Sequence, residues 1–230
     1  MPYAKYVQLA TVKPNGRPSN RTVVYRGFLG ATRTPRLFNP HALRESRLAL
    51  ATANPPKRLH GRPPTEPLSA PIFPLCAGDT SNITVVTDLR SNKVEEIRSN
   101  PGGEFAWYFP ESREQFRIAG DLTVVSKESA EMQSERSAAW NRMSPAGRAQ
   151  FAWPTPGFPQ LEEGQVRPGT NKQTFDVAEE VTADGSPAHD NFCLVVMDVK
   201  EVDHLSLRSN RRYVHVKDEG GEWATTEVNP

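Results

Sequence analysis

Short runs of alternating apolar and polar residues recur along this chain, and that period of two predicts strands. The first is Tyr6 to Val12, followed by the turn Lys13-Pro14-Asn15-Gly16 and a second run, Arg21 to Phe28, rich in β-branched and aromatic residues. Asn-Gly between two extended runs is a strong local hairpin signal, because both residues tolerate positive φ. Further strands are predicted at Ile83 to Thr87, Glu104 to Phe109 and Gln115 to Val125, and near the end at Phe192 to Val199, Val202 to Leu207, Tyr213 to Val216 and Trp223 to Val228. Lys217 to Gly221 would turn the last pair. A period near 3.6 replaces the alternation in few places. Asp88 or Ser91 caps a short helix with Val94 and Ile97 on one face and Pro101 past its end. A polar helix is predicted from Ser126 to about Met143, burying Ala139, Trp140 and Met143. Ser144-Pro145, a capping residue before a first-turn proline, opens another that runs to Phe151. Many strands with few short helices argue for a mainly-β fold, a β-barrel with peripheral helices, rather than a doubly wound sheet.

Between the first hairpin and Ile83 the pattern lapses. Nine of the 21 prolines fall from Pro35 to Pro74, and proline withholds a backbone donor and blocks helices. His41 to Ala53 has room for one or two helical turns; Asn54 to Asp79 reads as a mobile surface insertion within a single domain spanning 1–230. A proline-rich docking segment or lid is the functional alternative. Trp153 to Thr182 is again loop-like. The hydrophobic content, 37%, is modest, which fits a chain of which some length does not pack.

A formal net charge of +1 demands neither nucleic acid nor a membrane surface as partner. No apolar stretch approaches the roughly 18 residues of a membrane span, and the N-terminus has no charged region leading into an apolar run. A cytoplasmic location is the expectation. Cys76 and Cys193 read as free thiols, Cys193 as core.

Side chains alone offer little chemistry. The five histidines are scattered, no metal-ligand spacing occurs, and neither a nucleophile elbow nor a phosphate-binding loop is present. A bound cofactor would have to bring the reactivity. Three segments suit a phosphate-bearing one. Arg21-Thr22-Val23-Val24-Tyr25-Arg26 is a strand bounded by arginines, which fork around phosphate oxygens. On an ideal strand Arg21 and Arg26 face opposite ways, so they serve different groups unless twist and a bulge unite them. In Val86-Thr87-Asp88-Leu89-Arg90-Ser91-Asn92-Lys93 a strand ends and a helix begins among cations and a hydroxyl, a ready anion site or an ordinary capped helix. In Arg113 to Gly120, Gln115 and Arg117 share a strand face, facing either a heteroaromatic edge or water. Gly120 marks a bend or a close approach.

In this order the three segments resemble the pyridoxamine 5'-phosphate oxidase family, its cyanobacterial and general stress-protein branch more than the vitamin B6 enzyme itself. The end of the chain, Val202 to Arg208 through Arg212, Trp223 and Pro230, keeps the family's spacing. The resemblance implies a split β-barrel that binds FMN and forms a homodimer with the flavin at the subunit interface. It implies that Arg21 and Lys93 hold the phosphate, helped by Ser91, with Arg90 adding charge. Thr22, Val23, Val24, Val86 and Thr87 would line the ribityl chain and ring, Gln115 would meet the flavin's polar edge, and Arg212 would reach it from the far end. Arg26 and Arg208 would face a small, anionic substrate. No catalytic residue is assigned. The departures from the vitamin B6 enzyme lie in Asn92, where it has an arginine; in Leu205, where it has a tryptophan; in Asn210, where it has a histidine; and in Glu131 to Trp140, which lacks its grip on a substrate phosphate. FMN binding fits the sequence better than pyridoxamine phosphate oxidation. The expected activity is hydride transfer from a small substrate to flavin, and the alternative is a non-catalytic flavin-binding dimer. A helix that precedes the first strand in relatives has no counterpart before Tyr6.

Overall fold

A computed structural model describes residues 5–29, 82–159 and 183–230. The expectations for 41–53 and 54–79, for Cys76 and for most of 153–182 lie outside these residues. Strands β1 (Tyr6–Val12) and β2 (Pro18–Phe28) form the expected hairpin, and Gly16 takes φ +79° in its turn. Then come β3 (Ile83–Asp88), helix α1 (Asn92–Ser99), β4 (Gly102–Phe109) and β5 (Glu114–Val125). Helices α2 (Gln133–Asn141) and α3 (Pro145–Ala149) follow, α3 running into a 3-10 turn over Gln150–Ala152. The described chain ends with α4 (Pro187–Asn191), β6 (Phe192–Ser206), β7 (Arg211–Lys217) and β8 (Trp223–Val228).

The sheet order is β3-β2-β1-β4-β5-β6-β7-β8, and a further β3–β6 pairing closes the first six into a barrel. β6 makes the closure possible by its length. Its first half pairs with β3, Ile83 opposite Met197 through Asp88 opposite Phe192; its second half pairs with β7. The exchange of partners falls at a bulge, where Ala119 faces Glu201 but Gly120 faces Val199. Gly120 is the close approach expected from the sequence, since a Cβ there would stand 2.1 Å from the Asp198 carbonyl oxygen. The polar pair Lys200-Glu201, which reads as a break between two strands, lies inside one strand.

The inward residues of the barrel form one core: Leu9, Val23, Val85, Phe105, Trp107, Ile118, Met197 and Val202 among them. A second core lies outside the barrel wall, where Trp140, Phe151, Phe192, Leu194 and Val196 pack beneath the short helices. Trp140 is fully buried and its indole N–H donates to Asp184 at 2.8 Å. The helix expected over Ser126 to Met143 is shorter, Gln133–Asn141. Ser126 and Ser129 form a turn instead, whose carbonyls accept from the Gln133 side chain at 2.7 Å each, and Met132 takes φ +58°. Side chains that bond nearby backbone compete with the helix at that point. Cys193 is buried and free, and burial pushes its thiol up to about 12. Among the described residues no helix is long and apolar enough to cross a membrane.

Candidate functional site

Arg21 of β2 and the residues Thr87, Ser91 and Lys93, from two stretches of sequence, meet where α1 leaves the end of β3. Period-two alternation places Arg21 on the inner face of β2, opposite Leu9, and Thr87 on the inner face of β3, opposite Cys193. Lys93 Nζ donates to Thr87 Oγ1 at 2.8 Å and to Ser91 Oγ at 3.2 Å, which leaves one of its three N–H groups. Ser91 is the N-cap of α1 but does not cap it: its hydroxyl donates to the Asp88 carbonyl at 2.7 Å. The first-turn N–H groups of a helix have no partner within it, so this end of α1 offers donors and partial positive charge. Lys93 is half-buried; burial, and then the charge of Arg21, lowers its pKa.

A cavity of about 310 Å³ opens here, lined by Lys13, Ser19, Arg21, Asn92, Lys93, Glu96, Pro156 and Gly157. Three cations and a helix start suit an anion of phosphate size. Glu96, absent from the sequence reading, is the discordant group. It is 4% exposed and accepts from Thr11 Oγ1 and from Arg21 Nη2, each at 2.5 Å. Burial pushes its carboxyl up, but these bonds more than offset that and hold it below the usual carboxylate range. Its signal in the sequence was slight: a charged residue flanking the apolar stripe of Val94 and Ile97.

The other expected site residues lie elsewhere. Arg90 is engaged away from the cavity, with Nε 2.9 Å and Nη2 2.6 Å from the two Asp88 carboxylate oxygens, and Nη2 also donating to the carbonyls of Phe151 and Trp153. Arg90 thereby ties the segment leading to Pro156 and Gly157 onto β3. Val23 is in the barrel core and Val86 packs against the outer core beneath the helices. Cross-strand pairing puts Thr22, Val24, Gln115 and Arg212 together on the outer face of the sheet, with Tyr6 and Tyr108, which are 47% and 48% exposed. Arg212 makes a bidentate pair with Asp203, at 2.9 and 2.7 Å. Arg26 is the extra residue of a bulge between Tyr25 and Gly27 in the β2–β3 pairing. Arg208 donates to the Glu111 carbonyl at 2.6 Å.

The structure is a closed six-stranded barrel with a cavity lined by three cations at its rim. Residues 1–126 match the family model described as pyridoxamine 5'-phosphate oxidase, FMN-binding domain. The chain belongs to that FMN-binding family. It is 34% identical to a pyridoxamine 5'-phosphate oxidase-related, FMN-binding protein of Nostoc punctiforme, with a TM-score of 0.68, over 99% of this chain and 89% of that one. It is 28% identical to pyridoxine/pyridoxamine 5'-phosphate oxidase 2 of Arabidopsis thaliana, over 99% of this chain and 88% of the relative. PhzG of Burkholderia lata, solved with tetrahydrophenazine-1-carboxylic acid, shares the fold at 15% identity and a TM-score of 0.58, over 99% of this chain and 83% of that one. The split-barrel expectation and the cyanobacterial-type resemblance both hold.

Proposed function

We propose that this chain binds FMN, its phosphate in the cavity at Arg21, Ser91 and Lys93, and acts as a flavin-dependent oxidoreductase on a small molecule. The observation that carries the reading is the convergence of Arg21, Lys93 and the start of α1 on one cavity. That donor set suits a phosphate monoester: fixed N–H groups, a hydroxyl and cations close by. Bound FMN would supply the hydride acceptor, and the protein position and electrostatics. Thr22, Val24, Gln115 and Arg212 stand on the outer sheet face, away from the inner face of Arg21. A second copy of the chain seated on that face, over Tyr6 and Tyr108, would enclose them, which is why a homodimer is part of the proposal. Arg26 and Arg208 are the proposed contacts to an anionic substrate.

One observation favours a second reading, the non-catalytic flavin-binding dimer. The C-terminal arginines already have partners: Arg208 the Glu111 carbonyl, Arg211 Glu227, and Arg212 Asp203. The decisive measurements are two. The absorption spectrum of the purified protein, with the released cofactor identified by chromatography, tests FMN; finding FAD, or no uptake of added FMN, would refute the proposal. Anaerobic stopped-flow mixing of the FMN-loaded protein with pyridoxamine 5'-phosphate, the substrate suggested by the name of the Arabidopsis relative, tests turnover of that amine. Rapid, saturable bleaching of the flavin band would exclude the non-catalytic reading.

A further inference from the structure

Glu96 places a buried negative charge where the proposed ligand is itself a dianion. Its partner Arg21 is fully engaged at its fork. Nη1 donates to the Leu9 carbonyl at 3.3 Å and to Thr11 Oγ1, and Nη2 donates to Ser19 Oγ and to Glu96 Oε2, each at 2.5 Å. Of the five guanidinium N–H groups only the one on Nε has no acceptor among the described residues. A phosphate can gain a two-pronged contact with Arg21 only by displacing one of these acceptors. Leu9 O belongs to the backbone of β1, and Thr11 and Ser19 are neutral. Glu96 alone competes as a charge.

The same carboxylate has a use when no anion is bound. Arg21 and Lys93 stand close enough that Arg21 lowers the pKa of Lys93, whereas Glu96 and Asp88 raise it. Without Glu96 the ligand-free rim would hold two partly buried cations with less compensation, an arrangement that costs stability. We propose that Glu96 is an internal counterion for the phosphate site. It holds Arg21 while no anion is bound, releases it to the incoming phosphate, and so limits FMN affinity while stabilising the apo barrel. The proposal rests on the phosphate reading of the cavity. It gives Glu96 effects of opposite sign on two measurable quantities, whereas a residue needed only for the fold would harm both.

The test is Glu96→Gln, which keeps the size and an acceptor and removes the charge. The dissociation constants of FMN and riboflavin are read from flavin fluorescence, and the melting temperature from apoprotein. Expected are FMN binding tighter by about tenfold, riboflavin binding unchanged, and a lower apoprotein melting temperature. In an Arg21→Ala background the same substitution should tighten FMN by a smaller factor, because only the direct repulsion between Glu96 and the phosphate is then relieved. FMN binding that weakens or stays the same in Glu96→Gln overturns the proposal. Should Glu96→Gln not fold, Thr11→Val loosens the same arrangement with all charges kept. It should tighten FMN by a smaller factor, and weakening there overturns the proposal too. If neither Arg21→Ala nor Lys93→Met weakens FMN, the phosphate reading falls and the counterion falls with it. If both weaken FMN while Glu96→Gln does not tighten it, the counterion alone is wrong.

Discussion

Gly120→Ala should destabilise the barrel at the point where β6 changes partners. The added methyl would stand 2.1 Å from the Asp198 carbonyl oxygen, 2.9 Å from its carbonyl carbon and 3.0 Å from Val199 Cα. All three are backbone atoms, so no rotamer change relieves the contact. Carbon atoms pack best at roughly 3.5–4.0 Å, so β6 must retreat by on the order of 1 Å. Overpacking of this kind costs about 1–3 kcal/mol, and weakening a neighbouring ladder hydrogen bond adds about 1 kcal/mol. Replacing glycine within a strand returns roughly 0.5–1 kcal/mol. The net loss is about 1–3 kcal/mol, and at roughly 2–4 °C per kcal/mol for a chain of this size the melting temperature should fall by about 3–10 °C. Thermal unfolding of apoprotein followed by far-ultraviolet circular dichroism measures it. Gly16→Ala is the control: a Cβ there would meet no atom within 4 Å, and its φ of +79° confines the cost to the hairpin turn. An unchanged or raised melting temperature for Gly120→Ala would refute the reasoning, because it would mean that β6 yields without loss.

Lys93→Met should weaken FMN by about 10- to 150-fold, the worth of a charge-assisted contact of roughly 1.5–3 kcal/mol. Riboflavin titrated in parallel should bind as before; equal losses would assign Lys93 to the fold. Tyr25→Phe should be neutral or stabilising by up to about 1 kcal/mol in urea denaturation. Its hydroxyl is buried with no partner among the described residues, and burial raises its pKa; a clear destabilisation would reveal a missed partner. The Glu96 carboxyl is held below its ordinary value by Thr11 and Arg21 against the effect of burial. Its contribution to stability is therefore full above an unfolded pKa of about 4.3 and is lost as pH falls through the lower folded value. The gap in melting temperature between wild type and Glu96→Gln should narrow below about pH 4; a constant gap from pH 7 to pH 3 would contradict this.

The barrel strands were legible because one face of each packs on the inner core, whereas Trp223–Val228 is exposed over nearly its whole length. Tyr6–Val12 and Trp223–Val228 match their expected bounds, and β2 to β5 gain only a few residues at their ends. Bulges and local side-chain bonding were less legible, which split β6 in two and lengthened α2. Helix α4 went unread although Ser186 caps it just before Pro187, the same signature that revealed α3. In the site, the sequence marked the cations but not their partners. Arg90 bonds backbone carbonyls more than sixty residues away in sequence, and carbonyls carry no residue identity. Arg21 meets Glu96 only because β2 and α1 converge at the rim.

The β3–β6 seam joins strands that lie far apart in sequence. β1–β2, β4–β5, β6–β7 and β7–β8 join neighbours in sequence, whereas Thr87 and Cys193, which meet across the seam, are 106 residues apart. Contacts of such separation form after local hairpins and make folding slow, on a scale of milliseconds to seconds. Thr87 is also the residue that receives Lys93. Lys93, Ser91 and Thr87 meet within one short stretch of chain, and of the three Thr87 also belongs to the seam. A ligand that holds Lys93 against Thr87 only in the native state would act as a latch on a door already shut: it would slow unfolding and leave the folding rate as it was.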